Sequence, residues 1–396
     1  MTIENKTLKD YLNEIQSVVA ENLLQVDASI IASISNCWPK SIIANTGKNK
    51  SKDFVEDYSK INEIFNLKLL VDVPQIDNLN DRTNQGDTPN LNQTESLITI
   101  VTQHIAKAGG KRLRPLLALV TGIIFDTQQN SILLATAVEM IHTATLLHDD
   151  VIDKSKIRRG MPSAHTIWGE KAIILVGDYL FSQSFNLMLQ TESLKALNSL
   201  AKASAIIASA EVRQLEMIGD YQISFEQYLG LIEAKTATLF AAACESVALA
   251  SGAEDELAGF IENFGLNLGI CFQIIDDLLD YCGKSQKKDI FQDIKEGKMT
   301  LPLMLLLSCC SEAESKILMQ VYQGDVLTGE IENQLKQLMI IYKIEVSVRQ
   351  IAEIYAAKAL ESLDQLQIRL APKKELILKL IQSLRYFTLA LVQRQE

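Results

Sequence analysis

Two stretches of this sequence set an acid triad at the end of a long apolar run, LLHDDVID at 146–153 and FQIIDDLLDY at 272–281. On an α-helix, residues four apart share a face, so Asp149 and Asp153 project together, about 6 Å apart along the axis, with Asp150 beside them. Asp276, Asp277 and Asp280 repeat the pattern. Carboxylates this close repel unless they are protonated, met by basic side chains or bridged by a divalent cation. One such cluster could be an ordinary solvated helix end. Two copies with the same spacing and the same apolar lead-in point instead to one shared site. The fold must therefore bring two distant helices to one cavity and surround them with positive charge.

The rest of the chain is compatible with that demand. It has 396 residues, 47% of them hydrophobic, with only 6% aromatic residues and 7 prolines, a balance that favours helices. Helical periodicity runs from about residue 95 to the end and no βαβ alternation is visible, so the expected class is all-α. A net charge of −11 argues against a nucleic-acid partner, since that binding depends on clustered positive charge. The six cysteines form no CxxC pair, which suits reduced thiols in a cytoplasmic protein better than a disulfide framework or zinc site. The polar start MTIENKTLKDYLNE lacks the layout of a signal or transit peptide. No uninterrupted apolar run reaches 18 residues, so no transmembrane segment is expected.

In chain order, residues 7–35 carry apolar residues at three- and four-residue steps, including Leu12, Ile15, Val18, Val19, Leu23, Val26, Ile30, Ile31 and Ile34, and predict an amphipathic helix. Residues 36–94 are loop-rich and read as an insertion within a single domain spanning 1–396, their last part expected to be disordered. A helix over 95–108 stops at Gly109-Gly110, followed by Lys111, Arg112 and Arg114, a compact cationic junction able to hold an oxyanion. Helices are predicted over 115–125 and from about 130, the second carrying His142 two turns before Asp149 and in line with it. A histidine on an apolar helix is ordinarily a core residue, and only its alignment with the acids makes it a candidate phosphate ligand. Arg158 and Arg159 follow on a turn ended by Gly160 and Pro162; arginine's planar fork suits phosphate, although simple compensation of the neighbouring acids is equally compatible. Further helices are expected over 168–190, 194–218 and 225–251. The last places Lys235 in an apolar setting, where it needs a partner or a changed protonation state. Lys284, Lys287, Lys288, Lys295 and Lys298 crowd the loop after the second acid cluster. Helices over 301–310, 330–366 and 373–394 read as scaffold.

Two carboxylate triads with several basic clusters fit Mg²⁺, a hard ion that takes one or two carboxylates and fills its shell with water and substrate phosphate. The ligand that satisfies both charges is a diphosphate. Held this way, it becomes a stabilised leaving group for heterolysis of a C–O bond. An apolar helical cavity would shield the resulting carbocation from water. Neither a serine–histidine pair nor a P-loop lysine is visible.

Six motifs in order, GGKRLRP (109–115), HDDVIDKSKIRRGMP (148–162), GDYLF (177–181), KTATLF (235–240), FQIIDDLLDY (272–281) and DIKEGKMTLP (293–302), resemble those of the trans-isoprenyl diphosphate synthases, the polyprenyl synthetases. The resemblance is dense over about 95–305 and implies an isoprenoid-synthase-type helical bundle around a deep central cavity, working as a homodimer. The implied reaction joins isopentenyl diphosphate head-to-tail to an allylic diphosphate and releases pyrophosphate. It assigns Asp149, Asp150, Asp153, Asp276 and Asp280 to three Mg²⁺ ions, with Asp277 nearby. Arg158, Lys235, Thr236, Gln273, Lys288 and Lys298 fall to the allylic diphosphate; Gly110, Lys111, Arg114, His142 and Arg159 fall to isopentenyl diphosphate. In the family the residues four and five before the first aspartate help set the cavity floor. Here they are Thr145 and Ala144, both small, so the expectation is a long all-trans product of the quinone side-chain kind, with peripheral membrane contact for its release. Lys287 replaces the family's usual glycine before Lys288. Three other readings compete: a medium-chain farnesyl or geranylgeranyl diphosphate synthase, a non-catalytic subunit of a heteromeric synthase, and a terpene cyclase. The complete second acid cluster and the Lys111/Arg114 set speak against the last two.

Overall fold

The computed structural model describes residues 7–35, 97–107, 110–158, 160–282, 290–324, 326–371 and 374–395. The 36–94 segment, Arg159, Lys284, Lys287 and Lys288 lie outside the described residues. Chain order begins α1 (Leu8–Ser35), α2 (Leu97–Lys107), α3 (Leu113–Ile124) and α4 (Gln128–Ile152). A two-stranded hairpin follows, β1 (Ile157–Arg158) and β2 (Met161–Pro162), then α5 (Ala164–Trp168), α6 (Glu170–Gln190), α7 (Leu194–Met217) and α8 (Phe225–Ile232). A π-helical turn, Glu233–Ala237, leads into α9 (Thr238–Ala250) and α10 (Asp255–Cys282). The remainder comprises α11 (Gln292–Lys295), α12 (Leu301–Cys309), α13 (Glu312–Tyr322), α14 (Gly329–Ile341), α15 (Ile344–Leu370) and α16 (Glu375–Val392). The all-α expectation holds.

The periodicity of α1 is realised. Leu12, Ile15, Val19, Leu23, Val26 and Ile30 are buried while Val18 stays exposed, giving one apolar stripe that packs on α3 and α4. Nearly every side chain of α3 is buried, so it is an internal strut. The two acid-bearing helices are the central ones: α4 packs against α3 and α6, and α10 lies between α9 and α15. Close backbone approach sets how α10 sits against α9. A Cβ on Gly265 would come 2.6 Å from the Phe240 carbonyl oxygen, and one on Gly269 2.6 Å from Ala237 Cα. Only glycine allows α10 to lie this near α9 and the π turn, which carry Lys235 and Thr236.

Several boundaries differ from the sequence reading for local reasons. The helix expected over 168–190 begins at Glu170, because Gly169 takes φ 84° and separates it from α5. The 225–251 helix is interrupted by the π turn, with Thr238 Oγ1 donating to the Glu233 carbonyl five residues back. The 330–366 helix breaks at Lys343, which adopts φ 53° without a glycine or proline to announce it. The hairpin, α5, α11 and α13 were not expected from the sequence. The membrane expectation needs correction in its basis: averaged over a window, α4, α6 and α10 are long and apolar enough to cross a membrane by length and composition. In α4 and α10, 67% and 56% of that window is buried inside the bundle, so their apolar faces are used in packing.

Candidate functional site

The first acid cluster ends α4, with Asp153 as its C-cap. At about 100° per residue, His142, Thr145, Asp149 and Asp153 fall within one stripe of that helix, and Asp150 points roughly a quarter-turn away. Asp150 is buried and accepts a 2.6 Å bond from Arg158 Nε. The donor sits on β1, and the Ile157–Pro162 pairing with Gly160 at φ 77° fixes it there. Burial pushes the Asp150 carboxyl up, against the pull of Arg158.

Two lysines from distant segments meet the other acids of this cluster. Lys235, on the π turn, lies 3.5 Å from Asp149 and donates to Glu211 and Gln214 of α7, each at 2.6 Å. The π turn is the device that aims it: the extra residue per turn rotates the side chain away from the regular helical position, a feature common at functional sites. Glu211 has its pKa raised by burial and by Asp149, with Lys235 opposing. Lys298, from the loop after α11, bonds Asp153 at 3.1 Å and pairs with Glu296 at 2.7 Å. Burial would lower its pKa, but Asp153 and Glu296 outweigh that and hold it well above the ordinary lysine value.

The second cluster is organised differently. Asp277 is buried and accepts from Tyr228 and from Gln273, both at 2.7 Å, while Gln273 accepts from Thr236 at 2.8 Å. Thr236, Gln273, Asp277 and Tyr228 thus form one hydrogen-bonded chain joining the π turn, α10 and α8. Burial raises Asp277 to about 7 although both donors lower it. Asp280 accepts the backbone N–H groups of Gln292 and Asp293, at 3.1 and 3.0 Å, at the start of α11. Asp293 is itself pushed well above the carboxylate range by burial and by Asp280 and Asp277. Asp276 lies more open, with Arg394 at 3.4 Å. Arg394 also stacks over Phe272, and Arg349 holds this end of the chain by donating to the carbonyls of Val392 and Arg394.

The cationic junction before α3 splits its duties. Arg114 lies 3.1 Å from His142 Nε2 and over the Phe240 ring, while Gly110 and Lys111 are exposed at the rim. Ala144 is 1% exposed; Thr145 is half-buried, its hydroxyl donating to the His142 carbonyl. Among the described residues no three His, Cys, Asp or Glu side chains converge as a ready-made metal cage. Asp149, Asp153 and Asp276 each stand beside a cation instead, and oxygen donors that meet in ones and twos suit an ion completing its shell with phosphate.

Residues 95–339 match the family model for polyprenyl synthetases. The chain belongs to the polyprenyl synthetase family. It is 39% identical over 242 residues to octaprenyl diphosphate synthase of Haemophilus influenzae, covering 59% of this chain and 74% of that one. Geranylgeranyl diphosphate synthase of Sulfolobus acidocaldarius is 33% identical over 290 residues, 71% of this chain and 86% of its own. Among solved structures, a decaprenyl diphosphate synthase from Rhodobacter capsulatus superposes with a TM-score of 0.74 at 31% identity, covering 97% of this chain and 99% of that one. A polyprenyl synthase from Caulobacter crescentus, complexed with calcium and isoprenyl diphosphate, gives 0.75 at 30% identity, covering 97% and 98%.

This polyprenyl synthetase is a prenyltransferase. Of the described residues singled out from sequence, the structure pairs Asp149 with Lys235, Asp150 with Arg158, Asp153 with Lys298 and Arg114 with His142, and links Thr236, Gln273 and Asp277 in a chain; Asp276 and Asp280 instead meet Arg394 and the start of α11, and Gly110 and Lys111 are exposed. Glu211, Gln214, Tyr228 and Arg394 went unnoticed in the sequence, and Asp293 stood there only as the first residue of the DIKEGKMTLP motif. Of these, only Glu211 and Gln214 left a signal, two polar residues three apart on a helix and so on one face.

Proposed function

We propose that this prenyltransferase condenses isopentenyl diphosphate with an allylic diphosphate, head-to-tail and in the presence of Mg²⁺, giving a long all-trans polyprenyl diphosphate and pyrophosphate. The observation that carries the reading is the link between the two acid clusters: Lys235 meets Asp149 from the π turn whose Thr236 is bonded through Gln273 to Asp277, Lys298 and Arg158 meet Asp153 and Asp150, and Arg114 and His142 form a separate pair. Two anionic substrates need two cationic subsites, and one of them also needs a metal. Asp149, Asp153, Asp276 and Asp280 are the carboxylates that would hold three Mg²⁺ ions with the allylic diphosphate, Asp150 and Asp277 serving behind them. Mg²⁺ bound there would neutralise charge developing on the departing diphosphate.

The chain's own groups account for the rest. Lys235, Lys298, Arg158 and Lys288 would bind the allylic diphosphate oxygens, with Thr236 and Gln273 orienting the neighbouring acid. Gly110, Lys111, Arg114, His142 and Arg159 would hold isopentenyl diphosphate with its double bond facing the allylic carbon. The C–O bond of the allylic substrate breaks, the isopentenyl double bond forms the new C–C bond to the carbocation, and the proton released passes to the departing pyrophosphate. No protein base is required. The small Thr145 and Ala144 leave room for growth, and the octaprenyl and decaprenyl synthases among the relatives support a long product. A homodimer, a cytoplasmic location and peripheral membrane contact for product release complete the reading. The exposed Ile174, Leu175 and Leu189 of α6 offer an apolar face for a second copy.

The test is direct: purified protein, Mg²⁺, isopentenyl diphosphate and several allylic primers, with pyrophosphate measured and products resolved by chromatography. Pyrophosphate together with long polyprenyl products is expected. Absence of pyrophosphate with every primer would overturn the enzyme reading, and a farnesyl or geranylgeranyl end product would overturn the long-chain one.

A further inference from the structure

Arg112 stands between Lys111 and Arg114 yet takes no part in the subsite they belong to. Its guanidinium instead contacts Glu139 of α4 and lies 3.7 Å from Asp27 of α1. The three charged groups are largely withdrawn from water, Glu139 being 5% exposed. Burial lowers the basicity of Arg112, but Glu139 and Asp27 together more than reverse this; burial raises Asp27, against the pull of Arg112. A buried arginine cannot shed its proton, so its position is dictated by where its acids are.

The backbone shows how firmly it is held. Arg112 takes φ 48°, ψ 37° as the N-cap of α3, a left-handed conformation that disfavours any side chain other than glycine's. The chain accepts that conformation and gains the contact with Glu139. Glu139 and His142 are three apart on α4 and therefore on one face. Arg112 and Arg114, two apart in the junction, dock onto this pair in parallel, Arg112 on Glu139 and Arg114 on His142. A slip of the junction by one residue would break both pairings. Helix α1 adds a second hold, Gln16 donating to the Lys111 carbonyl at 3.4 Å.

We propose that Arg112 is the positioning residue of the isopentenyl subsite: the Asp27–Arg112–Glu139 triad sets the register of the junction on α4 and so places Lys111 and Arg114 against His142. The inference rests on the assignment of these three residues to isopentenyl diphosphate. It separates the two substrates, because among the described residues the triad touches none of the groups around the acid clusters. Loss of Arg112 should therefore weaken one substrate and spare the other.

The experiment measures steady-state kinetics of Arg112→Gln, Arg112→Lys and Glu139→Gln, together with hydrolysis of the allylic diphosphate alone in Mg²⁺ and the thermal midpoint by circular dichroism. For Arg112→Gln the KM for isopentenyl diphosphate should rise about tenfold to a hundredfold, the scale of a misplacement of about 1 Å. The allylic KM and the hydrolysis rate should stay within about twofold, since neither draws on this subsite. Arg112→Lys, which keeps the charge but loses the fork, should recover part of the loss. If Arg112→Gln fails to fold, Glu139→Gln is expected to show the same split. Equal loss for both substrates would make the triad merely structural, and an unchanged isopentenyl KM would remove its role; either result overturns the proposal. An inactive wild-type protein would instead defeat the functional reading beneath it.

Discussion

Replacing Tyr228 by phenylalanine tests the buried chain behind the second acid cluster with little change of shape. The ring remains and only the hydroxyl that donates to Asp277 at 2.7 Å is lost. Tyr228 and Asp277 are 2% and 7% exposed, so water cannot easily replace the bond. A hydrogen bond to an ionised acceptor contributes about 1.5–3 kcal/mol, and one between neutral groups about 0.5–1.5 kcal/mol. Which figure applies depends on Asp277, whose carboxyl is raised by burial to about 7, against roughly 3.9 in an unfolded chain. The folded metal-free protein therefore holds a proton on Asp277 that the unfolded chain has lost over pH of about 4 to 7. Its contribution to stability falls as pH rises through that window and is constant above it. Tyr228 lowers the carboxyl's pKa, so removing it moves the folded value higher still and leaves the unfolded one unchanged. The destabilisation should then be larger at pH 8.5 than at pH 5, by about 1.4 kcal/mol for each unit of that further rise. Urea denaturation of both proteins in EDTA at the two pH values measures it. A cost under about 0.5 kcal/mol, or one independent of pH, would refute the account of Asp277 as a buried carboxyl whose charged form Tyr228 stabilises against burial.

Three further outcomes are expected at the site. Asp149→Ala and Asp276→Ala should each lower turnover by about two orders of magnitude or more with unchanged helical circular dichroism, read as pyrophosphate release; an active variant would break the two-cluster argument. Lys235→Met leaves Glu211 and Asp149 facing each other without their shared cation, and should raise the allylic KM and cut kcat while sparing the isopentenyl KM; an unaffected allylic KM would remove Lys235 from that subsite. Ala144→Phe puts a ring at a fully enclosed position about one turn from the metal carboxylates. It should shift the chromatographic product profile to shorter chains, and an unchanged profile would refute the proposed role of Ala144 in product length.

What the sequence disclosed and what it withheld divide along the range of the interactions. The acid clusters were legible because their geometry is local: spacing of four on a helix fixes Asp149 over Asp153 whatever surrounds them. His142 joined them by the same rule. Lys235 was legible only as a problem, a cation in an apolar helix that must find a partner. The partner, Glu211, lies on another helix, and the π turn that aims the lysine depends on how residues 233–237 are packed, which no periodicity encodes. The break at Lys343 was hidden for a related reason, since a lysine in the left-handed region gives none of the warning a glycine would. Arg394 was lost among residues read as scaffold, because its meeting with Asp276 requires α16 to run back past α10 and Arg349 to grip the chain end. The glycines of α10 connect the two kinds of information. Gly265 and Gly269 are unremarkable in a helical pattern and even unfavourable there by roughly 1 kcal/mol each relative to alanine. That local cost is offset by the 2.6 Å approaches they permit to Phe240 and Ala237, which carry the π turn to the second acid cluster. The residues that look weakest for the helix are thus the ones that bring the helix of the second acid cluster against the π turn, whose Lys235 meets Asp149.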